Sequence, residues 1–256
     1  MKKKIVVLLL LMIIIVVTVL FVNKRNKMWS ESDEKTVTLT VSNSYVGYLG
    51  KVEGWLGKIL LDELNIEIEV TNAIDDADII IWANKTTLQQ KVTDEAILEG
   101  GVLLEWDEKL LSTYGKNIST YMAAQMDAVT DICNGKRVGF AGNATNDGGS
   151  PQGMVFTISA DCEFPEKAME FLDWMVVPEN TLTMMYGPKD ICWEIDDTGK
   201  YVLTDLGRSC KEDSTTTIAK PYTGTFSYGC WKGLAYAWDL SAVIPTSQQE
   251  STFLLQ

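Results

Sequence analysis

Thirty-five aspartates and glutamates and no histidine set the chemistry open to this chain of 256 residues. Without an imidazole, the usual general base of serine and cysteine hydrolases is missing, and so is the commonest ligand of catalytic zinc. Paired carboxylates could still hydrolyse a glycosidic bond. No spacing among the acids selects such a pair, so the chain is read as non-catalytic, with a carboxylate-dependent glycoside hydrolase as the enzymatic alternative. Asp75, Asp76 and Asp78 crowd together as calcium ligands can. They lack the EF-hand spacing and its closing glutamate, and read as a solvated loop before a strand. Cys133, Cys162, Cys192, Cys210 and Cys230 include no Cys-x-x-Cys pair, which removes support for a zinc ribbon or thioredoxin-like site. Outside the cytoplasm some could pair, and Cys192 and Cys210 flank a predicted hairpin. Buried, unpaired thiols are the alternative, and the odd count leaves at least one thiol free. No cofactor or metal is expected.

These residues need elements to position them, and the first element is a membrane address. After Lys2, Lys3 and Lys4, 18 uncharged and almost wholly apolar residues run from Ile5 to Val22. As a helix the run is about 27 Å long, close to a bilayer's hydrocarbon thickness. It exceeds the core of a secretory signal, and a basic collar of Asn23, Lys24, Arg25, Asn26 and Lys27 stands where small residues would mark cleavage. Residues 1–27 therefore read as a signal anchor, with a cleaved signal peptide as the alternative. The flanking charges nearly balance, so they do not orient the span. Residues 28–256 hold the remaining 16 basic residues against all 35 acidic ones, a net charge of −19. Such a surface repels nucleic acid, which is excluded as a partner. Eight Trp, nine Tyr and seven Phe argue for a folded core.

Residues 28–35 read as a short tether. Alternation of Val37, Leu39 and Val41 predicts a strand over 36–42, and Trp55, Leu56, Ile59, Leu60 and Leu64 predict a helix over 53–64. Strands follow at 66–70 and 78–82, the second an unbroken apolar run suited to burial on both faces. Strand, helix, strand, strand with short connections is the grammar of a parallel α/β sheet. A helix at 86–97, a strand at 101–106, helices at 107–114 and 117–129 and a strand at 136–140 complete a first lobe over 36–141. Residues 142–153 are a Gly-rich linker. Beyond it, 154–245 carries a strand at 154–159, a helix opened by Pro165, a helix at 179–186 and a hairpin of 191–195 with 200–204. Little regular structure is expected after 211 apart from an apolar aromatic stretch at 228–240, and 246–256 reads as a frayed tail.

One stretch resembles a known family. Ile158 to Cys162, then Pro165-Glu166-Lys167-Ala168-Met169 and Phe171-Leu172-Asp173, lead to Tyr186-Gly187, Trp193-Glu194, Asp197-Thr198-Gly199-Lys200 and Leu203-Thr204-Asp205-Leu206-Gly207. This series is similar to the C-terminal part of extracellular solute-binding proteins of bacterial ABC importers, in their sugar-type, Gram-positive branch. Residues 55–70, Ala77 to Ile81 and 103–118 resemble the family's first helix, strands and following helices more loosely. The resemblance covers about 37–140 and 154–207. It implies an α/β, periplasmic-binding-protein-like (type II) fold with a mixed or parallel sheet flanked by helices. Family members are longer, and the missing chain falls at 142–153, so the second lobe is shortened. Their lipid-bearing cysteine is also absent here.

What the resemblance implies for function is a carbohydrate-type binding protein that delivers ligand to ABC permease subunits, membrane-bound through residues 5–22. It places the N-terminus inside and 28–256 outside, or secreted if the segment is cleaved. A sugar site needs flat aromatic faces together with amides and carboxylates. Loops at the carboxyl ends of strands offer Tyr45, Tyr48, Trp82, Asn84, Asn143, Asn146 and Asp147. The late segment adds Trp231, Trp238 and Asp239. For each Trp the competing role is core packing, and for each loop Asn or Asp it is turn chemistry. A membrane-tethered interaction or sensory protein that kept the lobe and lost the cleft is the alternative to an importer component.

Overall fold

The computed structural model describes residues 35–43, 49–92, 101–142, 154–229, 244 and 246–250. The apolar run 5–22 and residues 28–34 of the tether lie outside them. Among the described residues no helix is long and apolar enough to cross a membrane.

Strand β1 (Val37–Asn43) keeps its alternation as far as Val41 and then stays buried through Ser42 and Asn43. Helix α1 (Gly54–Leu64) buries Trp55, Leu56, Ile59 and Leu60. It ends on Asn65, a left-handed residue at φ 55° whose N–H donates to the Leu60 and Leu61 carbonyls. The chain then enters β3 (Ile66–Thr71), which lies parallel to β1 with Leu39 opposite Ile68. Strand β4 (Ile79–Trp82) is parallel to β1 on its other side and buried at all four positions. That burial answers to the unbroken apolar run, since a strand covered on both faces has no polar positions. A two-residue edge strand, β2 (Gly50–Lys51), pairs antiparallel with β3 inside what the sequence reads as loop.

The remaining strands arrive from further along the chain. Strand β6 (Val155–Ile158) runs antiparallel beside β4, and β5 (Gly139–Ala141) pairs antiparallel with β6. The order is β2-β3-β1-β4-β6-β5, a mixed, partly parallel sheet of six strands flanked by helices. Its two faces bury separate clusters. Ile79, Ile81, Phe140, Phe156 and Ile158 join the larger one with Trp55, Phe171 and Leu172. Ile80, Trp82, Ala141 and Val155 join the smaller with Leu88, Val129 and Cys133.

Helix α2 spans Lys85–Val92, and residues 93–100 of the expected helix are outside the described part. Residues 101–106 do not form the expected strand. Leu103 bridges Ser159, but the Leu104 N–H goes to Ile158 and that of Trp106 to Arg137, so the partners change before a ladder builds. Helix α3 (Glu108–Tyr114) is capped by Asp107, whose carboxylate accepts from the Leu110 N–H. The helix expected at 117–129 is two, α4 (Lys116–Tyr121) and α5 (Ala123–Ile132), broken at Met122. Asp173 enforces the first of them from elsewhere in the chain, accepting from the Asn117 and Ile118 N–H groups at 2.7 and 2.9 Å. It belongs to α6 (Pro165–Met175), which Pro165 opens as expected. Helix α7 (Pro178–Tyr186) follows.

Strands β7 (Trp193–Ile195) and β8 (Tyr201–Leu203) form the expected hairpin. Asp196 closes its turn, accepting from the N–H groups of Thr198 and Lys200, while Gly199 takes φ 81°. Thr204 then caps α8 (Asp205–Glu212), accepting from the Gly207 N–H. A short helix α9 (Phe226–Gly229) stacks Phe226 on Trp55, whose indole donates to the Phe226 carbonyl. The tail does not fray at its start. Gln249 is buried and donates to the Ile244 carbonyl, and Glu250 accepts from Leu203 N–H and from Arg208.

Candidate functional site

Parallel strands expose the ends where loops gather, and here β1, with β3 on one side and β4 on the other, marks the point where chain order reverses. Open α/β sheets bind ligands outside the carboxyl ends of strands at such a point. Asn43 ends β1 and Trp82 ends β4. The chain enters 44–48 from Asn43 and leaves the described part after Gly142, next to β5. Candidates from three separate parts of the sequence thus follow strands that end on one edge.

Two of those candidates are described in place. Trp82 is 3 % exposed, packs in the smaller cluster, and donates its indole N–H to the Thr157 hydroxyl at 2.9 Å. Thr157 in turn donates to the Ile80 carbonyl at 3.2 Å. The ring therefore serves the core and offers no face to a ligand. Asn84 caps α2, its side-chain oxygen accepting from the Thr87 N–H at 2.7 Å and the Thr87 hydroxyl at 3.0 Å. Tyr45, Tyr48, Asn143, Asn146, Asp147, Trp231, Trp238 and Asp239 lie outside the described residues.

The same edge holds two residues that sequence reasoning passed over. Asn43 is 0 % exposed and Lys85 is 6 % exposed, and both are engaged within the protein. Burying an amide or an ammonium costs free energy unless it is paired, so both are placed by design of the packing around them. The signal for Asn43 was its polar side chain directly after an apolar strand. Lys85 had none, because a lysine opening a short polar helix reads as solvated.

The opposite edge carries a cavity of about 300 Å³ lined by Asp75, Asp76, Ala77, Asp78, Ser159 and Asp161. Asp78 is tied into the fold there. Its carboxylate accepts from the Thr40 N–H at 2.8 Å, and its backbone bonds both β1 and Ser159. Among the described residues no group of carboxylates or cysteines is arranged to hold a metal ion.

The described thiols are poor nucleophiles. Burial pushes Cys133 up to about 11, and burial with the nearby Asp78 charge pushes Cys162 up to about 12. Burial likewise takes Cys192 up to about 12 and raises Cys210. A thiol that stays protonated at neutral pH does little covalent chemistry.

No protein-family model, curated protein or solved structure matches the chain.

Proposed function

We propose that this protein is an extracytoplasmic solute-binding protein of the ABC-importer type, directed at a carbohydrate, non-catalytic, and built on one type II binding-protein lobe with its second lobe shortened. The observation that carries the reading is the position of β6. A two-lobed binder leaves its first sheet, builds the second lobe and returns, and a strand that re-enters antiparallel beside its neighbours fits such a path. Strand β6 is such a strand, lying antiparallel between β4 and β5 directly after residues 142–153. Only 12 residues occupy the place where a second lobe would be inserted. Residues 5–22 would hold the protein at the membrane with 28–256 outside, beside its permease subunits.

A thermal-shift screen of the full chain against mono- and oligosaccharides tests the proposal. A ligand at about 100 times its dissociation constant should add about 2.7 kcal/mol and raise the melting temperature. A well-folded sample that no sugar shifts sinks it. Alkaline phosphatase fused after residue 30 tests the orientation separately, and an inactive fusion reverses it.

The roles of Trp82 and Asn84 favour a second reading, a membrane-tethered interaction or sensory protein with a lost cleft. Both described candidates are engaged in packing and capping. Under that reading the sugar screen is silent while the phosphatase fusion is active.

A further inference from the structure

Cysteines separated in the sequence by a hairpin meet in the fold. Cys192 stands just before β7 and is wholly buried, and Cys210, in the second turn of α8, is 1 % exposed. Their thiols are hydrogen-bonded to each other. The backbone on both sides is fixed. The Thr204 N–H donates to the Cys192 carbonyl at 3.1 Å, and the Thr204 hydroxyl donates to the Ile191 carbonyl at 2.6 Å. Gly207 lets the helix come this close, since a Cβ there would overlap the carbonyl oxygen of Cys192. Cys210 lies one turn further along α8, on the side that faces Cys192. The other described cysteines sit elsewhere, Cys133 in the cluster on the other face of the sheet and Cys162 beside Asp78.

We propose that Cys192 and Cys210 are the two halves of an intrachain disulfide that staples the β7–β8 hairpin to α8. The oxidant is a disulfide, RSSR, either a small molecule or a thiol-oxidase partner. One cysteine thiolate attacks it, forming a mixed disulfide and releasing one RSH. The second thiolate attacks the protein sulfur of that mixed disulfide, closes the Cys192–Cys210 bond and releases the second RSH. Both thiol protons end on the two RSH molecules, the chain loses two electrons, and RSSR gains them. Burial suppresses the thiolate in the folded protein, so the bond forms while this segment is still opening and closing. Once formed it is shielded from reductant by the same burial. The staple does not depend on the proposed function, and its oxidation state is read without any ligand.

The test uses the full chain in detergent, reduced and unfolded, then refolded in a mixture of oxidised and reduced glutathione. Free thiols are alkylated, and trypsin cuts after Lys189, Lys200, Arg208 and Lys211, which places the two cysteines on separate peptides. The expected product is a linked pair of peptides 190–200 and 209–211 that separates on reduction. Reduction should lower the melting temperature by about 5–10 °C, a shift expected from opening a loop of this size. It should leave the C192S/C210S variant unchanged. Recovery of both cysteines alkylated, or linked to Cys133, Cys162 or Cys230, overturns the proposal. So does an equal effect of reductant on the double variant. The peptide measurement needs no variant, so a double variant that fails to fold leaves the test intact.

Discussion

At the carboxyl edge of the sheet the described polar residues are buried or capping, whereas at the amino edge carboxylates stand around open space. Asn43, Trp82, Asn84 and Lys85 lie at the first edge, and the first two and Lys85 are almost wholly covered. Asp75, Asp76 and Asp161 line the cavity at the second, where Asp78 alone is bonded into the strands. The comparison teaches that a residue type suited to ligand chemistry says little until its partners are known. Trp82 has the right ring for a sugar and uses it for the core. The acidic cavity has room and charge, but its exposed carboxylates do not bind one another into a site.

Substitutions at the two edges can break this contrast. The largest effect is expected for Trp82→Ala, which removes a buried indole and leaves Thr157 without its donor. It should cost about 3–5 kcal/mol in urea unfolding. A small loss of stability with a large loss of sugar binding would return Trp82 to the role of a ligand platform. Next is Asp78→Ala at the amino edge, which leaves the Thr40 N–H without its acceptor and should cost about 1–3 kcal/mol. Asn84→Ala removes the cap of α2, and about 1 kcal/mol should be lost in the same measurement. Smallest are Asp75→Asn and Asp76→Asn, each expected to change stability by no more than about 0.5 kcal/mol. If either costs as much as Asp78→Ala, the cavity carboxylates are part of the fold and the contrast between them and Asp78 disappears.

Much of the first half was legible because its signals are local. Helix α1 shows its buried stripe at helical spacing, β3 alternates, and β4 is apolar throughout, so each period appears within one element. Pro165 and the Asp196 turn were legible for the same reason. Helix α8 was missed although Thr204 with Asp205 after it is a capping signature, because its apolar side is only Leu206 and Cys210 one turn apart among polar residues. The hold on the start of α4 was not legible at all, since the group that accepts from the Asn117 and Ile118 N–H groups is Asp173, from another helix. Residues 101–106 failed as a strand because a ladder needs one continuous partner and their hydrogen bonds go to two. Of the candidate site, the shared edge of the loops could be anticipated from strand order, but the buried positions of Asn43 and Lys85 could not.

By itself the sequence determined the surface charge, the absence of imidazole chemistry, the apolar N-terminal run and the short-range elements. Each depends on composition or on neighbours a few residues apart. Only the tertiary structure decided that β6 enters antiparallel beside β4, that Trp82 belongs to Thr157, and that Cys192 meets Cys210. Those outcomes depend on which distant surfaces pack together. A side chain's role is set by the partner it finds there, and a partner 75 residues away leaves no local pattern to read.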